Sequence, residues 1–396
     1  MRIGMILDAV FPPDPRVENE AVSLIKAGHE VFLFCLHYGQ QNPSEVINGI
    51  QVKRFLSNKL EYKLSALVYT VPLYTFLMMR KIHHFIKENK VEVLHVHDMR
   101  IAAAVFNVNK KFNLPVVLDL HENRPEIMKF YPHLSKFPGT YLISSKKWKK
   151  KEEEFILKAT KVIVVTSEAK NEILERVPIA ADKIIEVPNT VRESFYKNPK
   201  LLPQIMHRYA NNFVLLYIGD TGIRRGLETA IKSIYNIKNK IDTVKLVIVG
   251  KNSSDTILKK LVKDLQIEPY VDFLGWKDPS LFQSYILSSA ICISPLHRNL
   301  HHDTTYANKI FQYMSLAKPV LVSDAIAQRK LVEKVACGLV HKERDSEDFS
   351  NKVVALYKSK PLRLELGESG KKFVQNEFSW EQTSKKLINL YNNMQS

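Results

Sequence analysis

The first half of the chain alternates short apolar runs with amphipathic segments. Five apolar runs have the composition of buried strands: residues 2–7, 31–36, 91–97, 116–120 and 161–165. Residues 17–27 and 101–112 have helical spacing, with Gly28 placed to end the first helix and Ser167 placed to cap a later one. Continuous apolar strands that alternate with helices predict a parallel sheet covered on both faces.

The second half repeats this alternation after a proline-containing stretch. Residues 188–203 carry Pro188, Pro199 and Pro203 among polar residues and predict a linker. Five further apolar runs predict a second set of strands: residues 213–218, 244–249, 271–274, 290–294 and 319–322. Ligands of such sheets bind beside the carboxyl ends of the strands, so two facing Rossmann-like domains would place a cleft between two sets of strand-end loops.

Length and composition agree with two globular domains. The chain has 396 residues, of which 45% are hydrophobic and 25% charged, which excludes a disordered chain. Cys35, Cys292 and Cys337 are far apart in apolar runs, so we expect neither a disulfide framework nor a zinc site, and a reducing, cytoplasmic compartment fits. The apolar run at residues 64–79 is shorter than a membrane span and is interrupted by Pro72, which favours a surface helix.

A net charge of +17 favours anionic partners such as phosphates or acidic lipid headgroups. The basic cluster at residues 146–151 fits either a solvated helix face or a membrane-surface patch with Trp148 at the interface. Residues 63–87 fit either a core-packed helix or a surface that takes a lipid-linked acceptor from an anionic membrane. No helix-turn-helix, zinc-finger or RRM pattern accompanies the charge, so nucleic acid is not an expected partner.

The predicted strand at residues 213–218 runs into a loop with the composition of a phosphate site. Gly219 allows close backbone approach to a ligand, and a helix that begins near Leu227 offers free N–H groups and positive potential. Arg224 and Arg225 add permanent charge and planar donors suited to phosphate oxygens. Cations are unfavourable at a helix N-terminus unless an anion offsets them, so a bound diphosphate is favoured over a solvated pair of arginines.

Histidines follow the strands of the first half. His121 and Glu122 come directly after the strand at residues 116–120, where His121 could donate, accept or transfer a proton; a purely structural pair is the alternative. His95 and His97 share one face of the preceding strand. No third and fourth ligands are evident in the sequence, which favours packing over a metal site for this pair.

The sequence predicts a reaction without a metal ion or cofactor. No Asp-x-Asp motif occurs in the chain, which leaves the arginines and the helix dipole to stabilise a departing diphosphate. The histidine-rich loop at residues 297–303 fits a polar active-site loop better than a metal site. No GxxxxGK[ST] motif occurs, which argues against ATP hydrolysis.

A set of short motifs resembles the family 4 glycosyltransferases of GT-B fold over nearly the whole chain. In the first half the motifs lie at residues 14–17, 27–31, 93–98 and 119–122. In the second half they lie at residues 187–190, 273–276, 294–295, 308–314 and 318–320. Each motif is short, and their order and spacing together are the specific feature.

The resemblance implies a retaining, metal-independent transfer of a hexose-type sugar from a UDP- or GDP-linked donor to a glycan or lipid-linked acceptor. Such an enzyme would serve cell-surface polysaccharide or glycolipid assembly in the cytoplasm or on the inner face of the membrane. The resemblance also implies an acceptor-side domain at residues 1–195, a donor-binding domain at residues 196–379 and a terminal helix at residues 380–396 that crosses back to the first domain.

Candidate site residues follow from their positions in these motifs. His121 matches the family histidine near the transferred sugar, and Arg225 matches the diphosphate-binding lysine, so both are catalytic candidates. The acceptor-side candidates are Arg16, His97 and Glu122. The donor-binding candidates are Gly219, Arg224, Arg225, Gly275, Asp303, Thr304, Asn308, Lys309 and Gln312. No metal ligand is among them.

Three positions depart from the family pattern. Asp220 stands where the family usually has arginine, and Thr304 and Gln312 stand where it has two glutamates eight residues apart. Gln312 can still accept a hydrogen bond from a ribose hydroxyl, and Asp303 is the candidate to supply the lost carboxylate. Two alternatives therefore stay open: a weak or silent sugar-nucleotide-binding partner of another transferase, and a nucleotide-sugar epimerase.

Overall fold

The computed structural model describes residues 1–39, 41–130, 134 and 143–395. The chain divides into two compact units, Met1–Asn189 with Ser384–Ser396, and Thr190–Thr383. The first boundary expected from the sequence, after residue 195, lies a few residues later than the observed one. The second expected boundary, after residue 379, lies a few residues earlier than the observed one. The N–H of Trp380 donates to the carbonyl of Val191 at 2.9 Å, which ties both segments to the second unit.

The first unit is built on one sheet. Its strands are β1 (Arg2–Val10), β2 (Glu30–His37), β3 (Ser44–Ile47), β4 (Ile50–Leu56), β5 (Val93–His97), β6 (Val116–Leu120), β7 (Lys161–Val164) and β8 (Ile184–Glu186). Among the described residues the strand order is β3-β4-β2-β1-β5-β6-β7-β8, with β3 antiparallel to β4 and the other pairs parallel. The order reverses between β1 and β5, so the carboxyl ends of β1, β5 and β6 lie where such sheets bind ligands.

Helices connect and cover these strands. They span Pro15–Lys26, Lys59–Ser65, Leu73–Glu88, Ala102–Asn109, Arg124–Ile127, Ser145–Lys158, Ser167–Arg176 and Lys385–Gln395, with 3₁₀ turns at Met128–Phe130 and Ala181–Lys183. Asp14 caps the first of them by accepting the N–H of Val17 at 3.1 Å. The cap expected from Ser167 is wrong by one residue, because the hydroxyl of Thr166 accepts the N–H of Ala169 at 3.0 Å.

The second unit is built on a sheet whose described strands are all parallel. These are β9 (Phe213–Ile218), β10 (Val244–Val249), β11 (Val271–Gly275), β12 (Ile291–Ser294), β13 (Val320–Ser323) and β14 (Gly338–His341), in the order β11-β10-β9-β12-β13-β14. The order reverses between β9 and β12. The prediction of two parallel-sheet α/β domains is confirmed.

Helices of the second unit follow the same alternation. They span Glu193–Lys197, Pro203–Arg208, Leu227–Ile237, Asp255–Asp264, Phe282–Leu287, Leu300–Asp303, Lys309–Ser315, Ile326–Val335, Ser346–Lys358, Lys360–Phe373 and Trp380–Thr383. A π-helical turn at Val374–Phe378 and 3₁₀ turns at Ile223–Arg225, Glu268–Tyr270 and Pro279–Leu281 complete the unit. The terminal helix expected at residues 380–394 is interrupted at Ser384, so its first turn belongs to the second unit and its remainder to the first.

The two segments with alternative membrane interpretations are largely packed into the first unit. Trp148 is buried, with its ring 4.7 Å from that of Tyr69 in an edge-on contact, so the expectation of Trp148 at a membrane interface is wrong. Three lysines of that helix pair with carboxylates: Lys149 with Glu172 at 2.7 Å, and Lys151 and Lys158 with Glu154 at 2.6 and 2.5 Å. Within the described part of the chain, no helix combines the length and apolar character needed to cross a bilayer.

Candidate functional site

The reversal of strand order in the second sheet brings two loops together. The loop after β9 contacts the loop after β12, where the N–H of His297 donates to the carbonyl of Arg224 at 3.0 Å. Gly226 has φ +74°, and a Cβ at this position would lie 1.7 Å from the carbonyl oxygen of Pro295. Only glycine fits there, and this close approach fixes the 3₁₀ turn that carries Arg224 and Arg225.

Lys309 lies against the same loop. It begins the helix Lys309–Ser315, and its Nζ is 3.4 Å from the ring centroid of Tyr217 and 3.4 Å from the place of a Cβ on Gly219. Burial, and then the charge of Arg225, hold the pKa of Lys309 well below its usual value. The structure therefore brings together Gly219, Arg225 and Lys309, which the sequence assigned separately to donor binding.

Asp220 offsets part of this positive charge. Its carboxylate accepts a hydrogen bond from the Nε of Arg225 at 3.3 Å and from the side-chain amide of Asn252 at 2.5 Å. Burial alone would raise the pKa of Asp220, but Asn252 and Arg225 hold it below its usual value. Asp220 stands at the position where the resembling family has an arginine, and its carboxylate orients Arg225.

Asp303 and Thr304 already have partners within the second unit. The Oδ1 of Asp303 accepts the N–H of Ile326 at 2.9 Å, and its two oxygens face the guanidinium of Arg298 at 3.3 and 3.2 Å. The hydroxyl of Thr304 donates to the carbonyl of Leu300 at 2.7 Å. Donor contacts by these two side chains stay predictions.

The remaining donor-motif residues are more accessible. Asn308 is exposed and Gln312 is half-buried, and their spacing of four residues places them on one face of the helix that Lys309 begins. Gly275 ends β11 with φ +68°, and its carbonyl accepts the N–H of Gly250 at 2.8 Å. Donor contacts by these residues stay predictions.

His302 in the histidine-rich loop is neutral. Burial, and then the charges of Arg225, Arg224 and Lys309, lower the pKa of His302 to about 3, although its hydrogen bond with His297 acts in the opposite direction. Its Nδ1 lies 2.7 Å from the carbonyl oxygen of His297. At neutral pH His302 therefore adds no positive charge beside the cations.

The first unit presents His121 at the end of β6. Its Nδ1 lies 3.1 Å from Oδ2 of Asp119, and its side chain is 20% exposed. Burial alone would lower the pKa of His121, but the carboxylate of Asp119, and then that of Asp98, raise it to about 9. At neutral pH His121 is therefore an imidazolium that can donate hydrogen bonds but cannot accept a proton.

Two acceptor-side predictions need correction. Arg16 is buried, and its Nη2 and Nε donate to the two carboxylate oxygens of Asp119 at 2.7 and 2.9 Å. His97 is buried, with its Nδ1 3.3 Å from Oδ2 of Asp119. Neither side chain reaches the surface, because both serve the ion pairs beneath His121. Glu122 is half-buried and pairs with Arg124 at 3.2 Å, and its acceptor role stays a prediction.

Beside His95 and His97 the structure places two carboxylates, Glu20 and Asp119, which the sequence alone did not associate with them. Among the described residues, potential ligand atoms of Glu20, His95, His97 and Asp119 lie within 4.8 Å of one another. Arg16 holds both carboxylates, however, with its Nη2 2.9 Å from Oε1 of Glu20 as well as on Asp119. A guanidinium in this position supplies the positive charge that a cation would supply, so we do not assign a metal to the cluster.

Comparisons with known proteins cover most of the chain. The sequence model named Glycosyltransferase Family 4 matches residues 16–195. The model named Glycosyl transferases group 1 matches residues 212–359. The first match covers most of the first unit and continues into residues 190–195 of the second, and the second match falls within the second unit.

Individual relatives are distant but extend over the fold. An uncharacterized glycosyltransferase of Methanocaldococcus jannaschii is 21% identical over 94% of this chain and 91% of its own length. The capsular polysaccharide biosynthesis glycosyltransferase CapM of Staphylococcus aureus is 24% identical over 59% of this chain and 62% of its own.

Solved structures share the fold over the full length. Sucrose-phosphate synthase from Thermosynechococcus elongatus superposes with a TM-score of 0.80 at 15% identity, over 99% of this chain and 98% of that one. HepE from Anabaena, solved in complex with UDP-glucose, superposes with a TM-score of 0.74 at 14% identity, over 99% and 100% of the two chains.

Proposed function

Because this chain belongs to the glycosyltransferases, with a family 4 domain followed by a group 1 domain on the GT-B fold, we propose the following reaction. The enzyme moves a hexose-type sugar from a UDP- or GDP-linked donor to a glycan or lipid-linked acceptor. The anomeric configuration is retained and no metal is needed. The product serves cell-surface polysaccharide or glycolipid assembly, and the name of the relative CapM, a capsular polysaccharide biosynthesis glycosyltransferase, supports the first of these.

One observation carries the donor assignment: Arg225 and Lys309 converge beside Gly219 at the reversal of the second sheet. Neighbouring cations repel each other, and the pKa of Lys309 is lowered first by burial and then by the charge of Arg225. A diphosphate would reverse this penalty, since it attracts both groups. The UDP-glucose complex of the structural neighbour HepE supports a sugar nucleotide as this ligand.

The chemistry follows from fixed charges. As the bond from the sugar to the diphosphate breaks, negative charge grows on the phosphate oxygens, and preorganised cations stabilise it without reorganisation. Arg225 is held by Asp220 within the loop, and Lys309 is held over Tyr217, so neither has to move. We propose that the imidazolium of His121 donates a hydrogen bond to an oxygen of the transferred sugar.

Turnover over a panel of UDP- and GDP-sugars tests the proposal. We expect Arg225→Ala and His121→Ala each to lose most of the transfer rate, while Arg208→Ala and His84→Ala keep it. The control side chains are exposed and take part in surface ion pairs, with Asp272 and Glu88 respectively. Unchanged rates in both site variants would reject the assignment.

A silent sugar-nucleotide-binding partner is the second candidate, and one observation favours it. Asp303 is engaged by Arg298 and Ile326, so the donor motif lacks a carboxylate free to contact the sugar. Donor binding without turnover over the whole panel would support this candidate. A product that forms without any acceptor would instead support the epimerase alternative.

We further propose that the first unit takes its acceptor at an anionic membrane surface. Two adjacent helices, Lys59–Ser65 and Leu73–Glu88, expose apolar side chains next to lysines. Three aromatic rings between residues 63 and 87, those of Tyr69, Tyr74 and Phe85, are buried and do not contribute to this surface. Phe76 is 59% exposed and supports the proposal.

A further inference from the structure

A buried polar network lies beneath His121 and extends to the last helix of the chain. Asp119 contacts both His121 and Arg16, and Arg16 also lies 2.9 Å from Glu20. Asp119 and Glu20 are both fully buried, where unpaired charges are costly. Such a network is stable only if its members hold one another in a defined arrangement.

The second half of the network reaches the C-terminal helix. The Nε2 of His95 lies 3.3 Å from Oε2 of Glu20. The Nδ1 of the same ring lies 2.7 Å from the hydroxyl of Tyr391, which is buried on the helix Lys385–Gln395. Tyr391 is 296 residues from His95 in sequence and belongs to the same structural unit. The returning helix thereby inserts a hydroxyl into the network that ends at His121.

Through Asp119, the network fixes the orientation of the His121 ring. Arg16 engages both oxygens of Asp119, which leaves this carboxylate a single orientation toward the Nδ1 of His121. A carboxylate accepts, so Nδ1 carries the proton and the opposite nitrogen, Nε2, is left for a ligand. A third group that orients a histidine in this way sets both its tautomer and its direction.

We propose that Asp119, Arg16, Glu20, His95 and Tyr391 are positioning residues that hold His121 as a hydrogen-bond donor toward the sugar, with Tyr391 as the distal end of the relay. The consequence for catalysis rests on the function proposed above. The orientation of the ring does not, because it follows from contacts within one unit.

The charges that face His121 are Asp119 on its own strand, Asp98 after β5 and Arg16 on the first helix. The two carboxylates favour the imidazolium and Arg16 opposes it, so the balance depends on how firmly Arg16 is drawn to Asp119 and Glu20. Glu20 has no hydrogen-bond partner among the described residues and is coupled to Arg16 and His95 through close contacts of 2.9 and 3.3 Å. We expect removal of the Tyr391 hydroxyl to loosen the His95 ring and, through these contacts, Glu20 and Arg16. We therefore expect a change at Tyr391 to be felt at His121 even though the two side chains do not touch.

Long-range ¹H–¹⁵N NMR of the full-length protein labelled on histidine tests the inference without any substrate. In the parent protein we expect His121 to titrate above the usual histidine range, with Nδ1 protonated in its neutral form. Because Arg16 opposes the imidazolium, Tyr391→Phe, which loosens Arg16, should raise the titration midpoint or mix the tautomers. Asp119→Asn removes the carboxylate that favours the imidazolium and should lower the midpoint. Tyr209→Phe is the matched control, since Tyr209 is also buried and its hydroxyl also makes one side-chain hydrogen bond, to Asp272, but in the other unit.

Kinetics provide the second readout. Loss of one hydrogen bond predicts a fall in kcat of about two- to tenfold in Tyr391→Phe, with an unchanged KM for the donor. A Tyr391→Phe protein whose His121 titration and kcat both match the parent would overturn the proposal. If NMR shows the expected change but His121→Ala transfers sugar normally, the positioning network stands and the catalytic role of His121 fails instead.

Discussion

At the scale of single residues, Lys309 is the side chain whose charge should respond to the donor. Burial and the neighbouring Arg225 lower its pKa in the free protein, whereas a diphosphate beside it would raise that pKa. Binding should therefore take up as much as about one proton, and affinity should fall as pH rises above the lowered pKa.

Calorimetry of UDP and GDP binding in buffers of different ionisation enthalpy measures this proton directly. At about pH 8 the nucleotide phosphates are themselves fully ionised and do not contribute. We expect Lys309→Met to abolish the uptake and weaken binding by at least about tenfold, the usual scale for a charge-assisted contact. Lys259→Met, on an exposed part of the same unit, should keep both. Proton uptake that persists without Lys309 would refute its role.

Residue identities indicated which loops carry polar and charged side chains. They did not indicate which of these side chains already have hydrogen-bond or ion-pair partners. Asp303 is adjacent to the position of a family glutamate, yet it caps the helix Ile326–Val335. Arg16 lies in a family motif, yet it is buried on Asp119. These outcomes depend on partners far along the chain, which spacing within a motif does not encode. Glu20 left one local signal, since it lies four residues after Arg16 on the same helix face.

At the scale of elements, the tight approach of the loops after β9 and β12 depends on Gly226. A Cβ there would meet the carbonyl oxygen of Pro295 at 1.7 Å, and φ is +74°. Gly226→Ala should therefore displace the turn that carries Arg225, weaken UDP binding by more than about tenfold and lower stability by more than about 2 kcal/mol, since backbone strain and a clash add.

Gly275 provides the matched control for that substitution. It also has positive φ, at +68°, but no atom lies within 4 Å of its Cβ position. Gly275→Ala should cost only the conformational term of about 1 kcal/mol and leave Arg225 in place. Urea unfolding of both variants separates the two terms, and equal losses would show that the contact with Pro295 is unimportant.

Elements were predictable where burial alone decides them. The runs at residues 116–120, 213–218 and 244–249 match β6, β9 and β10, because parallel strands buried on both faces are continuously apolar. The β3–β4 hairpin, β8 and β14 were missed. β3 is an edge strand with alternate residues exposed and β8 has three residues, so neither leaves an apolar run long enough to stand out.

At the scale of the whole molecule, the surplus of positive charge is accompanied by exposed apolar side chains on two helices of the first unit. Leu60 and Tyr62 are 66% and 62% exposed on one helix, and Leu73 and Phe76 are 47% and 59% exposed on the next. The ion pair of Lys81 with Glu61 at 2.7 Å holds the two helices together. Exposed apolar side chains flanked by lysines bind anionic bilayers through burial and electrostatic attraction together.

Flotation with vesicles measures this attraction. The protein should float with vesicles of phosphatidylcholine and phosphatidylglycerol, remain at the bottom with phosphatidylcholine alone, and lose binding as salt screens the charges. The double variant Leu73→Ser with Phe76→Ser should weaken flotation more than about tenfold, since each apolar side chain removed from water contributes about 1.5–3 kcal/mol. Ile257→Ser with Leu364→Ser removes similarly exposed side chains, 57% and 62%, from the second unit and should have no effect. Equal losses in the two double variants would show that exposed apolar side chains on either unit are sufficient. Equal flotation with both kinds of vesicle would show that electrostatic attraction does not contribute to binding.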